Sequence, residues 1–220
     1  MADVKLLYRD RDIAVAVKPV GLHSERGEGG FPAVLAASLG LPEEAVFPVH
    51  RLDAVTGGAM VWALNAAAAA RLSRAVQDGN LRKTYLAVAE GRPEGEAGEW
   101  SDLLFWDRRS QKAYVVSRAR KGAKAAEAAF RVEAEAEGLT LLTLRPRTGR
   151  THQLRVQCAS RGLPLYGDRR YGAKQGRSAA LWAAGLAFAH PLTGESLCFR
   201  SEPPWAELPW SLFSGAVRLD

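Results

Sequence analysis

Cysteine is scarce in this sequence, which has only Cys158 and Cys198 among 220 residues. The two lie far apart and form no C-x-x-C pair, so the sequence shows neither the disulfide framework of a small secreted domain nor the spacing of a zinc ribbon. The four histidines are also scattered, at His23, His50, His152 and His190. Because metal sites usually show a characteristic ligand spacing, we expect no metal in this protein.

Long hydrophobic runs are absent as well. The longest apolar stretch begins at Ala59, is interrupted at Asn65 and ends before Arg71, well short of the roughly 20 apolar residues that a spanning helix needs. The N-terminus, MADVKLLYRDRD, reaches charged residues at once and lacks the apolar core and cleavage site of a secretory signal. We therefore expect no transmembrane segment and a cytoplasmic location.

Lysine is the rarer of the two cations. Seven lysines contribute to a total of 30 Lys and Arg, against 24 Asp and Glu, which gives a net charge of +6 and a pI near 9.6. The planar guanidinium group of arginine binds phosphate through two hydrogen bonds and stacks on bases better than the lysine ammonium group does. This charge is therefore compatible with a polyanionic partner. A coding bias explains the composition equally well, since the chain is also rich in Ala and Gly.

Short apolar runs between turn residues predict strands along most of the chain. The predicted strands are VKLLY (4–8), IAVAV (13–17), AMVWAL, KTYLAVAEG, FRVEAEAEG, LTLLTLR, LWAAGLAFAHP and SLCFRS. The first two are joined by the charged turn RDRD and predict a hairpin. FRVEAEAEG and LTLLTLR show a period of two and predict another.

Capping residues predict three helices. FPAVLAASLG is typical of a short helix ended by Gly40, with Pro42 just beyond. Asn65 is a good N-cap for AAAAARLSRAVQDG, and Gly79 fits the position after its end. RPRTGRTHQLRVQCASRG begins with Pro and Gly and ends at Gly162, which predicts a helix in its middle whose N-terminal turn carries several cations.

These elements predict an α+β fold with a mixed, largely antiparallel central sheet and peripheral helices. No internal repeat appears, and no linker separates two compositions. With 47% hydrophobic residues, the chain can bury a sizeable core in one large domain or two small lobes. We expect a single domain over residues 1–220.

Three stretches hold polar groups where the pattern predicts core or plain turn: HRLDAVTGG, KTYLAV and RTGRTHQLR. Asp53 is the most conspicuous, because aspartate is unfavourable inside strands and costly to bury without a partner. A turn that exposes it or a cation that holds it would resolve the conflict. An aspartate, an aromatic residue and an arginine-rich helix start could supply a nucleophile, a base-stacking platform and a phosphate clamp.

The chain resembles the RluA-type pseudouridine synthases at these residues. The matching motifs are H-R-L-D-x-x-T-x-G, K-x-Y, G-R-T-H-Q-L-R-V and G-x-P-L-Y-G-D-x-x-Y-G. The likeness begins at RDRDIAVAVKPVGL and continues to LAFAHPLTGESLCFRSEPP, so it covers nearly the whole chain. Several long motifs in a fixed order are more specific than any short match.

The resemblance implies isomerisation of uridine in RNA to pseudouridine in a central catalytic cleft, without a cofactor or metal. Asp53 matches the catalytic nucleophile, Arg155 the arginine that pairs with it, and Tyr85 the tyrosine that packs on the turned-out base. Arg51 matches the arginine that enters the helix where the base has left, a step that costs a few kcal/mol of unstacking. Whether the aspartate attacks C1′ or removes a 2′ proton stays open.

Other residues of the same motifs are expected to bind substrate, in contact with phosphate, ribose or base. They are His50, Arg51, Thr56, Arg150, Thr151, His152 and Gln153. Both histidines are also good candidates for structural hydrogen bonding. The glycines of GEGG and TGG lack the Lys-Ser/Thr sequel of a P-loop, so the sequence does not indicate a nucleotide cofactor.

The sequence departs from the family pattern in two places. Gly57 replaces a usual serine, and Trp182 lies where members commonly have histidine; both bear on the choice of substrate. The chain starts almost directly at the catalytic domain, so we expect no S4-type RNA-binding domain before it. We expect a monomer that acts on ribosomal or transfer RNA.

Two other functions compete with this interpretation. One is a non-catalytic RNA-binding or RNA-chaperone protein on the same scaffold, against which the set of Asp53, Tyr85 and Arg155 argues. The other is a carboxylate hydrolase, which would need a second acidic residue near Asp53 that the motif does not provide.

Overall fold

A computed structural model describes residues 4–217 of the chain. Three α-helices are present in this range, α1 (Phe31–Leu39), α2 (Ala66–Gln77) and α3 (Gln153–Ala159). The strands are β1 (Leu6–Arg9), β2 (Ile13–Lys18), β3 (Phe47–Pro48), β4 (Gly57–Ala63), β5 (Arg82–Glu90), β6 (Ala97–Asp107), β7 (Lys112–Val116), β8 (Ala123–Ala136), β9 (Leu139–Pro146), β10 (Leu181–Ala189) and β11 (Ser196–Arg200). Short 3-10 helices lie at Glu43–Ala45, Arg169–Tyr171 and Trp210–Phe213. The predicted α+β class is confirmed.

The chain divides into two compact units. The first takes in residues up to Lys83 together with Ala183–Glu202, and the second takes in Thr84–Trp182 together with residues from Pro203 onward. The expectation of a single domain stays a prediction. No helix among residues 4–217 is long and apolar enough to cross a membrane.

The first unit is built on antiparallel strand pairs. β2 pairs with β1 on one side and β4 on the other, β3 pairs with β4, and β11 pairs with β10. The core packs α2 against this layer through Ala68 and Leu72, which are four apart and therefore lie on one helix face. Every residue of β4 is buried, which confirms the predicted buried strand.

The predicted caps of α2 are confirmed. The Asn65 side chain accepts a hydrogen bond from the Ala68 N–H at 2.9 Å, and its amide donates to Asp12 at 2.8 Å. Gly79 has φ +74°, a left-handed conformation that glycine adopts without steric cost. Helix α1 ends in the same way at Gly40, with φ +68°.

The second unit is built on antiparallel strands that pair in the order β5, β9, β8, β6, β7. The hairpin of β8 and β9 was predicted, but β8 begins seven residues earlier than its apolar pattern indicated, at Ala123 rather than Phe130. Strands β6 and β7 were not among the strands predicted from the sequence. Helix α3 packs on this layer, with Val156 in a cluster that includes Leu104, Ala113 and Ala126.

Candidate active site

Asp53 lies in the segment between β3 and β4, immediately before a turn at residues 54 and 55. Its carbonyl oxygen accepts the Thr56 N–H at 2.9 Å, which closes the turn, and the Ala54 carbonyl accepts the Gly21 N–H at 2.7 Å. The side chain is half-buried. The turn therefore resolves the conflict seen in the sequence, because it takes Asp53 out of the strand while the backbone stays fixed.

The loop after β2 holds this segment from the other side. The Ser24 hydroxyl donates to the Leu52 carbonyl at 2.8 Å and accepts the Leu52 N–H at 2.9 Å, and Ser24 is buried. Leu52 is the residue before Asp53, so this reciprocal pair restricts the backbone at the position that the motif marks as catalytic.

Lys18, the last residue of β2, is the buried cation of this unit. It is 0% exposed, and its Nζ donates to the carbonyls of Pro19 at 2.8 Å and Leu22 at 2.7 Å. Burial lowers the pKa of Lys18 to about 8, and the negative charge of Asp53 acts in the opposite direction. The ammonium charge therefore reaches Asp53, and an ionised carboxylate needs such a neighbour.

His50 and Thr56 flank Asp53 and are both buried. The Nε2 of His50 accepts the Val61 N–H at 3.2 Å, so the ring proton lies on Nδ1. Burial, with a smaller effect from the charge of Lys83, holds the pKa of His50 well below its usual value. Within residues 4–217, His50 Nδ1 and Thr56 Oγ1 are both buried without a hydrogen-bond partner, which is unusual for buried polar atoms.

Arg51 is exposed and forms an ion pair with Glu25 at 2.7 Å, with both side chains more than half exposed. An exposed pair of this kind contributes little to stability and exchanges readily for another partner. The geometry therefore suits the role that the resemblance implies for Arg51, in which its side chain leaves Glu25 when RNA binds.

In the second unit, Tyr85 lies on β5 opposite Leu144 of β9, and it is buried with 7% of its surface exposed. Arg155 lies on α3 and is also buried, so it is not a solvated helix residue. Its Nε and Nη2 donate to the two carboxylate oxygens of Asp168 at 2.6 and 2.8 Å. This bidentate fork fixes the plane of the guanidinium group.

Tyr171 links the surroundings of Arg155. Its ring lies 5.1 Å from the Arg155 guanidinium and 5.1 Å from the Lys112 ammonium, which is the range of cation–π contacts. Its hydroxyl accepts the Ala113 N–H at 2.9 Å and lies 2.9 Å from His152 Nδ1. His152 adopts φ +55°, which is uncommon for a residue with a side chain, so this contact accompanies a strained backbone.

The loop that leads into α3 is held by Gln153. Its Oε1 accepts the Thr148 hydroxyl at 2.7 Å and the Arg150 N–H at 3.0 Å, and its Nε2 donates to the Glu127 carbonyl at 3.0 Å. Arg150 is exposed, and its Nε donates to the Ala125 carbonyl at 2.9 Å. Thr151 is half-buried. Gln153 thus organises the loop, and Arg150 presents a charge from it.

Comparison with protein families identifies the chain. Residues 12–160 match the family model described as RNA pseudouridylate synthase. The chain belongs to the RNA pseudouridylate synthase family. Its members are isomerases, and the matched residues include all three catalytic positions that the resemblance implied, Asp53, Tyr85 and Arg155.

Curated relatives of this pseudouridylate synthase are similar over most of its length. A Haemophilus ducreyi protein named dual-specificity RNA pseudouridine synthase RluA is 32% identical over 211 residues, which cover 90% of this chain and 92% of that one. An Escherichia coli protein named ribosomal large subunit pseudouridine synthase C is 33% identical over 220 residues, 94% of this chain and 68% of that one. The RluA-type resemblance is therefore confirmed.

The fold of this synthase also matches a solved structure, described as human RNA pseudouridylate synthase domain containing 1. The TM-score is 0.76 at 26% sequence identity, covering 92% of this chain and 84% of that one.

Motif analysis missed several residues that the structure places beside the predicted ones. Lys18 ends an otherwise apolar strand, IAVAVK, and a lysine at the buried end of such a run was a signal for a specific role. Asp168 and Tyr171 lie in the G-D-x-x-Y-G motif that the sequence comparison singled out without assigning a role.

Proposed function

We propose that this protein isomerises uridines in structured RNA to pseudouridine, with Asp53 as the nucleophile. The observation that carries the proposal is the setting of Asp53. The half-buried Asp53 side chain stands on a backbone segment that hydrogen bonds from Ser24 and Gly21 hold in place. The buried Lys18 ammonium group acts electrostatically on the Asp53 carboxylate. Membership of the RNA pseudouridylate synthase family supports the reaction type.

The reaction breaks the bond from C1′ to N1 and makes one from C1′ to C5 of the same uracil. In one route a carboxylate oxygen attacks C1′ and the uracil leaves through N1; after the ring turns, C5 attacks C1′ and releases the carboxylate. In the other route the carboxylate removes the 2′ proton as the uracil leaves through N1, which forms a glycal; C5 then bonds to C1′ and C2′ regains a proton. Both routes start from an ionised carboxylate, and in both the C5 proton is finally lost while N1 gains one.

Tyr85 and Arg155 keep the catalytic roles that the resemblance implies. Rigid placement supports both assignments: Tyr85 is buried on β5, and Arg155 is held in the Asp168 fork. Orientation of reacting groups is a large part of catalysis, and a fixed guanidinium plane provides it at no cost during the reaction.

The substrate that we propose is a stem-loop of ribosomal or transfer RNA. The Haemophilus ducreyi relative is named as dual-specificity and the Escherichia coli relative as acting on the ribosomal large subunit, so the family name alone does not choose between the two RNAs. We also propose that the protein acts as a cytoplasmic monomer without a cofactor or metal.

The test is release of tritium from RNA labelled at C5 of uridine, because the C5 hydrogen is lost to water when C5 bonds to C1′. Wild-type protein should release tritium from unmodified ribosomal or transfer RNA transcripts. Asp53→Asn should release none while binding the RNA within several-fold of wild type, because phosphate contacts supply most of the affinity. Asp78→Asn, at an exposed aspartate after α2, is the matched control. Full activity of purified Asp53→Asn would show that Asp53 is not the nucleophile.

A further inference from the structure

The segment around β7, between Asp107 and Glu127, carries positive charge alone. Between residues 108 and 126 the chain has seven cations and no acidic residue. The cations are Arg108, Arg109, Lys112, Arg118, Arg120, Lys121 and Lys124. We call residues 108–124 the cationic hairpin; it consists of β7, the turns on either side of it and the first two residues of β8. All seven cations except the half-buried Lys112 are exposed.

The cationic hairpin is held in place by specific contacts. Asp107 accepts the Arg109 N–H at 2.9 Å and the Ser110 hydroxyl at 2.8 Å, which fixes the first turn. In the second turn the Arg120 guanidinium lies 3.4 Å from the centre of the Phe105 ring. The charges are therefore presented on a defined scaffold, which lowers the entropy cost of binding.

One of these charges acts on a carboxylate of the protein: after the hydrogen bonds from Ser110 and Arg109, the charge of Arg120 also lowers the pKa of Asp107. None of the seven cations forms an ion pair with another residue of the described range 4–217. The far end of β8 differs, because Glu133 pairs with Arg131 and Glu135 pairs with Arg92. Strand β8 has 14 residues and spans about 45 Å at its usual rise. That length exceeds the screening distance of about 8 Å in physiological salt, so the two ends act independently.

The cationic hairpin is continuous with the residues around Arg155. Lys112 contacts the Tyr171 ring, which also contacts Arg155. Arg170 donates to the Gln111 carbonyl at 2.8 Å, and Arg150 donates to the carbonyl of Ala125, which follows the hairpin. A polyanion bound at Arg155 could therefore extend along the hairpin.

We propose that the cationic hairpin binds the phosphates of an RNA helix that adjoins the target uridine. Apart from Lys112 within β7, its cations lie in the chain before and after that strand, whose five residues span about 16 Å. Cations on either side of a strand of this length can contact both backbones that line a groove, and double-stranded RNA is recognised through such contacts. The inference rests on the proposed function for its choice of RNA.

The experiment measures binding of a fluorescent RNA hairpin with an uninterrupted stem over a series of salt concentrations. Arg118→Gln, Lys121→Gln and Lys124→Gln are combined in one variant, since all three side chains are exposed. If each cation meets one phosphate, the slope of log affinity against log salt should become shallower by about two to three, and the dissociation constant at low salt should rise on the order of tenfold. The single-turnover rate at saturating RNA should stay at the wild-type value.

The matched control removes the same charge from paired positions of the same unit. Arg92→Gln, Arg131→Gln and Arg147→Gln are combined, because each of these arginines is paired with glutamate. This control should keep the wild-type slope. Equal slopes in the two triple variants would overturn the inference, and so would an equal loss of affinity for single-stranded oligouridylate, which has one backbone.

Parallel tritium-release assays separate this inference from the proposed function. If the wild-type protein releases tritium and the hairpin variant binds RNA as the wild type does, the proposed function stands and the inference about the cationic hairpin is wrong. Wild-type protein that binds the stem through the hairpin and releases no tritium from any transcript would overturn the proposed function while the binding result stands.

Discussion

Lys18 acts on Asp53, the proposed nucleophile, through both its charge and the backbone that it holds. It ends a strand whose other residues are apolar, and its ammonium group bonds the carbonyls of Pro19 and Leu22. The loop so fixed bonds the Ala54 carbonyl through Gly21, one residue after Asp53. Removing Lys18 therefore affects the charge beside Asp53 and the loop that supports it.

The lowered pKa of Lys18 gives a pH signature. Its pKa falls from 10.5 to about 8 on folding, so between these values the unfolded chain binds more protons and folding stability rises with pH. We expect the wild type to gain stability relative to Lys18→Met between about pH 8 and 10.5 in urea unfolding. The difference in unfolding free energy between the wild type and Lys18→Met removes the contributions of the other lysines. Lys5→Met, at an exposed lysine, should match the wild type. A constant difference across this range would contradict the assignment.

The Arg155–Asp168 pair leads to a second prediction. Both side chains are at most 5% exposed, and loss of one partner of a buried pair typically costs about 3 to 5 kcal/mol. Asp168→Asn keeps the shape and removes the charge, so we expect a loss of this size in the free energy of unfolding. Arg155→Lys keeps the charge without the planar fork, so it should cost less stability and still lose much of the single-turnover rate.

An exposed pair supplies the control for this prediction. Arg147→Ala breaks the pair with Glu99, in which both side chains are more than half exposed, and should cost at most about 1 kcal/mol. Wild-type melting of Asp168→Asn, or a wild-type rate in Arg155→Lys, would show that the fork does not orient the arginine.

Some of these residues could be predicted from the sequence and others could not, for a physical reason. Asp53, Tyr85 and Arg155 stand in contiguous motifs that can be recognised in one dimension. Lys18 and Asp168 matter through tertiary neighbours, since Lys18 acts on a carboxylate in a separate loop and Asp168 pairs with a helix residue. Only the folded chain shows which cation meets which carboxylate.

At the scale of elements, helix ends were predictable because caps are local. Asn65 and Gly79 each act within a few residues of their own position. Strand β8 was only partly predictable, because its first half, AKAAEAA, favours helix by propensity. Pairing with β6 on one side and β9 on the other overrides that preference.

Two turns of the first unit are joined by a polar network. Asp10, between β1 and β2, accepts the N–H groups of Asp12 and Ile13 and the Tyr8 hydroxyl. His190, after β10, lies 2.9 Å from the same carboxylate. Desolvation raises the pKa of Asp10, but the hydrogen bonds from Ile13, Asp12 and Tyr8 outweigh it, so the net pKa is lowered.

This network predicts an acid-dependent loss of stability. A carboxylate with a lowered pKa stabilises the fold above its unfolded pKa of 3.8, and the contribution disappears as the pH falls through the folded value. Asp10→Asn should lose about 2 kcal/mol at neutral pH, the usual value for hydrogen bonds to a charge. The difference from wild type should shrink below about pH 4. Urea unfolding across pH measures it; Asp78→Asn is the control, and a difference independent of pH would contradict the role.

At the scale of the whole molecule, the net charge of +6 is less informative than its distribution. Ion pairs neutralise one end of β8, while the cations at the other end face solvent. A protein with the same composition and every cation paired would show a weaker dependence of RNA binding on salt. Composition alone could not predict this, because pairing depends on which strands lie side by side.

The last prediction concerns metal ions and the protein as a whole. Within residues 4–217 one group, Asp10, Asp12 and His190, has potential ligand atoms within 4.8 Å of one another. Its atoms already serve hydrogen bonds: His190 Nδ1 accepts the N–H groups of Leu192 and Thr193, which leaves the ring proton on Nε2 facing Asp10 at 2.9 Å, and Asp12 accepts from Asn65. Binding a cation would break these bonds, so we expect zinc not to raise the melting temperature.

Protein treated with EDTA should keep its isomerisation rate on an RNA hairpin that folds in monovalent salt alone. Loss of activity that zinc or magnesium restores, or a zinc-dependent rise in melting temperature absent in Asp10→Asn, would show that this group is a metal site.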